Sequence, residues 1–174
     1  GVGRDYVYQE TERGVVGTAP EMDPFVVLPE DENGVTVKAT LVNHAPVFPA
    51  FAYRFDTPDG SIVISGDTSP SENLIKLAQG ADVLVHEVLH QPSIEKLVPE
   101  NVPNRDEQLY HIYSAHTAST AVGRVARDAN VKKLVLTHLV PADEIVPDEV
   151  WRDHARAGFD GEVIVGKDLM EIGV

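Results

Sequence analysis

Seven histidines and no cysteine mean that any metal this chain holds must rest on imidazole and carboxylate. Thiolate zinc sites, iron-sulfur clusters, disulfides and cysteine nucleophiles are all excluded. Several candidate residues follow short apolar runs: His44 after Thr40–Asn43, Asp67 after Ile64–Gly66, His86 after Val83–Val85, and His138 after Val135–Thr137. A carboxylate can bridge two cations through its two oxygens, and neutral imidazole suits Zn, Mn or Fe. Asp67 between His44 and His138 could therefore hold a metal pair whose shared water is acidified to a hydroxide nucleophile. His116, in Ser114-Ala115-His116-Thr117 ahead of a helical segment, could meet an anionic oxygen or protonate a leaving group. Glu87 could orient His86. His90, His111 and His154 have no comparable placement and read as surface or rim residues.

Each of these residues also has a plain reading. A histidine beside an apolar strand is commonly a hydrogen-bonded rim residue, and Asp67 in Ser65-Gly66-Asp67-Thr68 could be a turn aspartate before a capped helix. What favours chemistry is recurrence. In open α/β sheets, ligands gather at the carboxyl ends of strands, so residues that follow successive strands converge on one edge.

The elements that must position them alternate. Residues 1–34 are rich in Gly, Pro and acids and read as lead-in loops with edge strands at Val15-Val16 and Phe25–Leu28. Val35–Val42 and Phe51–Phe55 alternate as half-buried strands, and Thr57-Pro58-Asp59-Gly60 turns the chain into the strand Ser61–Ser65. Ser69-Pro70-Ser71-Glu72 reads as a capping box opening a helix that closes at Gly80. Ala81–Val85 is a short buried strand, Gln91–Arg105 a polar stretch containing proline, and Thr117–Ala129 a helix. Leu134–Leu136, Asp148–Ala157 and Glu162–Val165 follow as strand, helix and closing strand. This order predicts an α/β layered domain over residues 35–174.

The length of 174 residues suits one domain with a real core. A net charge of −14 repels phosphate backbones and disfavours nucleic acid, although bound cations can reverse the sign inside one pocket. No apolar run is long enough for a membrane span, and Gly1-Val2-Gly3-Arg4 carries no targeting information, so the compartment stays open, with the cytoplasm favoured. Two metals of four to six ligands each need about seven ligands and waters in all. His44, Asp67 and His138 supply only part of such a set.

These pieces resemble the C-terminal half of a metallo-β-lactamase superfamily hydrolase of the arylsulfatase-like and ribonuclease Z-like branch. The matches are Asn43-His44-Ala45-Pro46 with Ala52-Tyr53-Arg54-Phe55, Ile64-Ser65-Gly66-Asp67-Thr68, Val85-His86-Glu87, His116-Thr117-Ala118-Ser119-Thr120 and Leu136-Thr137-His138. They stand in the family's order, and Gly161–Ile172 resembles its closing strand. The resemblance implies half of a four-layer αββα sandwich, a mixed sheet with outer helices. It also implies two divalent metals, with zinc favoured over Mn or Fe. His44 would ligate one metal, Asp67 would bridge, and His138 would ligate the second. His86 and His116 would assist proton transfer and contact the substrate's charged oxygens. The family's His-x-His-x-Asp-His motif is absent, so the remaining ligands are expected from a missing N-terminal half or a partner chain. That part should also cover an apolar inner sheet face.

The leading expectation is hydrolysis of a small anionic or aryl ester, namely a phosphodiester, sulfate ester or lactone, by the complete protein acting as a homo-oligomer. The isolated chain is expected to be inactive. The runner-up is transfer-RNA 3′ processing, placed second because residues 45–66 leave no room for the Pro-Pro-Gly-Pro-type insertion common in ribonuclease Z-like proteins, and because of the acidic charge. A non-catalytic half-domain that binds a partner is the third reading.

Overall fold

The computed structural model describes residues 19–142 and 146–174, with the backbone pairing of two short strands, β1 (Glu10–Thr11) and β2 (Gly14–Val15). The rest of the expected lead-in before residue 19 lies outside the described residues. The remaining strands form one seven-stranded sheet, β3 (Phe25–Leu28), β4 (Thr36–Leu41), β5 (Phe51–Thr57), β6 (Gly60–Ile64), β7 (Val83–Leu89), β8 (Lys133–Val140) and β9 (Glu162–Val165), arranged side by side in chain order. Pairing is antiparallel from β3 to β6 and parallel from β6 to β9. The sheet is therefore mixed, and the outer helices follow.

Two successive antiparallel steps return β6 to the direction of β4, and the parallel steps carry that direction on through β7 and β8. The carboxyl ends of β4, β6, β7 and β8 thus share one edge. Helices α1 (Glu72–Ala78), α4 (Ser119–Asp128) and α5 (Asp148–Arg156) cover one face. There Leu74, Leu77, Val122, Val125 and Trp151 meet Val63, Leu84, Leu134 and Val163 in the main core. Gly123 brings α4 against α5: a Cβ at that position would collide with the Ala155 carbonyl.

The opposite face is different. Cross-strand partners run Ala39, Tyr53, Ile64, Val85, Val135, Ile164 in a continuous apolar row, because directly paired residues always share a face. Tyr53 and Ile64 on that row are 37% and 43% exposed. Among the described residues, no helix is long and apolar enough to cross a membrane.

Three local expectations shift. Ser71, not Ser69, caps α1, accepting from the Leu74 N–H at 3.4 Å, so the helix starts at Glu72. The polar, proline-containing stretch, in which the sequence marks no element, contains α2 (Gln91–Leu97), with Pro92 in its first turn, and the chain continues into α3 (Arg105–Ala115), opened by Asp106 and Glu107. Their apolar residues do not mark one face in sequence, since they meet across the helix pair in a small cluster of Leu89, Ile94 and Leu109. Strands β7 and β8 also run several residues beyond their expected ends, with consequences at the site.

Candidate metal centre and proton-handling site

The shared edge brings His44, Asp67 and His138 together. Gly66 turns the chain out of β6 at φ +59°, where a Cβ would sit 2.6 Å from the Phe51 carbonyl oxygen, and this turn presents Asp67. Asp67 directs one oxygen to each imidazole: Oδ2 lies 3.8 Å from His44 Nε2 and Oδ1 lies 3.6 Å from His138 Nδ1. Two donors held at 2.0–2.1 Å by one tetrahedral cation lie roughly 3.4 Å apart, so each pair has the spacing of atoms that can share an ion. Nitrogen and oxygen donors of this kind suit Zn, Mn or Fe.

His138 reaches its place by a bulge. Glu87 pairs with Thr137 and Val88 with Leu139, which leaves His138 as the extra residue of β8, in the left-handed region at φ 42°. For a non-glycine residue this conformation costs about 1–3 kcal/mol. In return the imidazole leaves the pleat and faces Asp67.

His116 follows α3 and joins the same centre. Its ring stacks on His138 with centroids 5.6 Å apart and planes at 17°, and meets the His44 ring edge-on at 5.4 Å. Suitable donor atoms of His44, Asp67 and His116 lie within 4.8 Å of one another, as do those of Glu87, His116 and His138. His116 Nδ1 is 3.2 Å from Glu87 Oε2. Burial opposes a charge on His116, but the hydrogen bond to Glu87 and the charges of Glu87 and Asp67 outweigh it and raise its pKa.

His86 departs from its expected role. Because β7 runs on to Leu89, His86 lies inside the strand, with Leu84 and Val88 on the helix-packed face, and is fully buried. Its Nδ1 is 2.6 Å from the Glu87 carbonyl, and its Nε2 has no hydrogen-bond partner among the described residues. Burial lowers its pKa. It cannot touch a substrate at this edge. Strand parity sends its neighbour there instead: the Glu87 carboxylate orients His116 rather than His86.

Glu87 is also the hub of the surrounding loops. Its Oε1 accepts the Thr117 N–H at 2.7 Å and the Thr68 N–H at 3.3 Å. Thr68 Oγ1 accepts the Asn43 N–H at 3.1 Å, tying the His44 loop to the Asp67 loop. Thr68 and Thr117 were not singled out from sequence. The available signal was the repeated placement of threonine directly after Asp67 and directly after His116.

The histidines set aside as rim residues divide. His111 is exposed, whereas His90 and His154 are partly buried and stack at 5.4 Å against each other. His90 Nδ1 is 2.7 Å from Ser93 Oγ, and His154 Nδ1 is 2.8 Å from Ser119 Oγ. Burial, His154 and Lys96 together lower the His90 pKa.

No family model matches the sequence. The chain is 34% identical over 175 residues to a putative ribonuclease Z of Mycobacterium tuberculosis strain CDC 1551, covering 99% of this chain and 75% of that protein. It is equally similar to the ribonuclease Z of strain H37Ra, of which it spans 62%. Its fold matches the metallo-β-lactamase fold protein YhfI of Bacillus subtilis with a TM-score of 0.58 and 23% identity, covering 83% of this chain and 50% of that one. With the fold and the relatives in agreement, the chain belongs to the ribonuclease Z family of metallo-β-lactamase fold proteins and corresponds to the C-terminal portion of that fold.

Proposed function

We propose that the full-length protein carrying this chain is a metal-dependent phosphodiesterase that cleaves transfer-RNA precursors on their 3′ side, the reading placed second on sequence grounds. The observation that carries it is Asp67 standing between His44 and His138, one oxygen turned to each imidazole, in a chain whose relatives are named ribonuclease Z. Small-ester hydrolysis would use the same centre. Kinship over 99% of the chain favours the RNA phosphodiester.

The charge of −14 opposes RNA less than it first suggests. Divalent cations reverse the local sign at the centre, and the net charge counts only these residues. The sheet face that exposes Tyr53 and Ile64 would be the docking surface for the other half of the sandwich, which would bring the remaining ligands. Burying the row through Tyr53 and Ile64 would drive that association.

In this reading His44, Asp67 and His138 hold two divalent cations, with zinc favoured. Bound there, the cations would acidify a water towards neutral pH and polarise the phosphoryl oxygens. Asp67 contributes a negative charge between the two imidazoles and holds them in register. His116 acts as the imidazolium that Glu87 and Asp67 favour: one proton on Nδ1 is held towards Glu87 Oε2, and the second, on Nε2, passes to the departing oxygen of the substrate and leaves a neutral ring. Glu87, buried and accepting two amide N–H groups, fixes the direction of the ring.

The test offers the purified full-length protein a 3′-extended transfer-RNA precursor, bis(p-nitrophenyl) phosphate, an aryl sulfate and a lactone. Cleavage of the precursor at one position, abolished by chelation and restored by zinc, is the expected result. Turnover of only the small esters would return the reading to a small-ester hydrolase. A folded protein with no bound metal and no turnover would leave a binding module.

A further inference from the structure

Thr117 is fully buried, and each of its polar atoms is committed. Its N–H donates to Glu87 Oε1 at 2.7 Å, its hydroxyl donates to the Thr68 carbonyl at 2.6 Å, and its carbonyl accepts the Leu89 N–H at 2.8 Å. The Thr68 N–H donates to the same Glu87 oxygen at 3.3 Å. A closed ring results: both loops hang their amides on Oε1, and the Thr117 hydroxyl joins one loop to the other. The residue after His116 is thus bonded to the residue after Asp67, with no surface exposure at either threonine.

Buried hydroxyls are often satisfied for stability alone, at about 1 kcal/mol each. The placement here implies more. Glu87 Oε2 sets the direction of the His116 ring, but a carboxylate can pivot while keeping its hydrogen bonds. The Thr117–Thr68 bond removes that freedom by fixing the backbone that carries His116 against the backbone that carries Asp67. We infer that Thr117 is a positioning residue: its hydroxyl sets the separation between the metal-bridging carboxylate of Asp67 and the proton-donating imidazole of His116. This rests on the reading of His116 as the proton donor and extends it to a residue that touches neither metal nor substrate.

The experiment uses the full-length protein as wild type, Thr117→Val, which keeps the shape and deletes the hydroxyl, and Thr117→Ser, which keeps the hydroxyl. Metal content, kcat and KM are measured on bis(p-nitrophenyl) phosphate, and the Val variant is crystallised. Misplacement of a reacting group by about 1 Å is worth roughly 10²-fold, so kcat should fall by about that factor in Thr117→Val. KM should stay within about twofold, since binding is unchanged. Metal content should equal that of the wild type, and Thr117→Ser should recover most of the lost turnover. A crystal structure of Thr117→Val with the His116 and Asp67 side chains at their original separation overturns the inference whatever the activity. So does a folded, metal-replete Thr117→Ser protein as impaired as His116→Ala, which decides the matter even if the Val variant does not fold. An inactive wild type would instead refute the phosphodiesterase reading, and the crystallographic comparison would still judge the role of Thr117.

Discussion

Two stacked histidine pairs in this molecule have nearly the same geometry and opposite surroundings. His116 lies on His138 at 5.6 Å and 17°, and His90 lies on His154 at 5.4 Å and 26°. The first pair has Asp67 and Glu87 at its nitrogens, the second Ser119 and Ser93 with Lys96 nearby. Accordingly His116 is raised in pKa by its carboxylates against its burial, while His90 is lowered by burial and by its positive neighbours. Stacking alone does not set the behaviour of a histidine. Negative charge within reach of the ring nitrogens does, because it favours a proton or a cation there.

Removing the charge from the first pair should have the largest effect. Asp67→Ala deletes the carboxylate that stands between His44 and His138, and the full-length protein should lose most of its metal and at least about 10³-fold in turnover. Elemental analysis together with kinetics checks this, and full metal content in the variant would show that Asp67 is not a ligand. Glu87→Gln keeps the shape but discharges the partner of His116. Turnover should fall by about 10²-fold with metal retained, the size expected for a general acid that loses its orientation and charge. A variant as active as wild type would mean that His116 needs no carboxylate.

Changes to the second pair should spare activity. His154→Ala leaves the buried Ser119 hydroxyl without its ring partner and should cost about 1–3 kcal/mol in urea unfolding, with turnover unchanged. A loss of turnover would place the second pair within the working site. The smallest effect concerns pH. Since the folded state depresses the pKa of His90, the unfolded chain binds more protons, and stability falls as pH drops below the ordinary histidine value of about 6.5. His90→Phe should flatten that slope on the acid side of neutrality. An unchanged slope would mean that His90 titrates alike in both states.

Much of the centre was legible beforehand. His44, Asp67 and His138 follow apolar runs, and in an open α/β order the ends of parallel runs gather at one edge, as the ends of β4, β6 and β8 do here. The choice between His86 and Glu87 was not legible, because it turns on where β7 stops. Had the strand ended at Val85, His86 would have stood at its mouth, but the extension to Leu89 applies the two-residue alternation and buries it. The short α2 and α3 likewise form through contact with each other, which no periodicity within either segment announces.

Composition and order alone determined that a metal here must meet imidazole and carboxylate, that the elements would form an α/β layered domain, and that the donor set would be partial, because these follow from which residues exist and in what sequence they occur. Only the tertiary structure decided which residues act on one another. The left-handed bulge at His138, the two threonines closing on Glu87 and the apolar row exposed at Tyr53 and Ile64 all depend on registers between segments far apart in the chain. Cross-strand register is set by the packing of the whole sheet, and local residue preference carries no record of it.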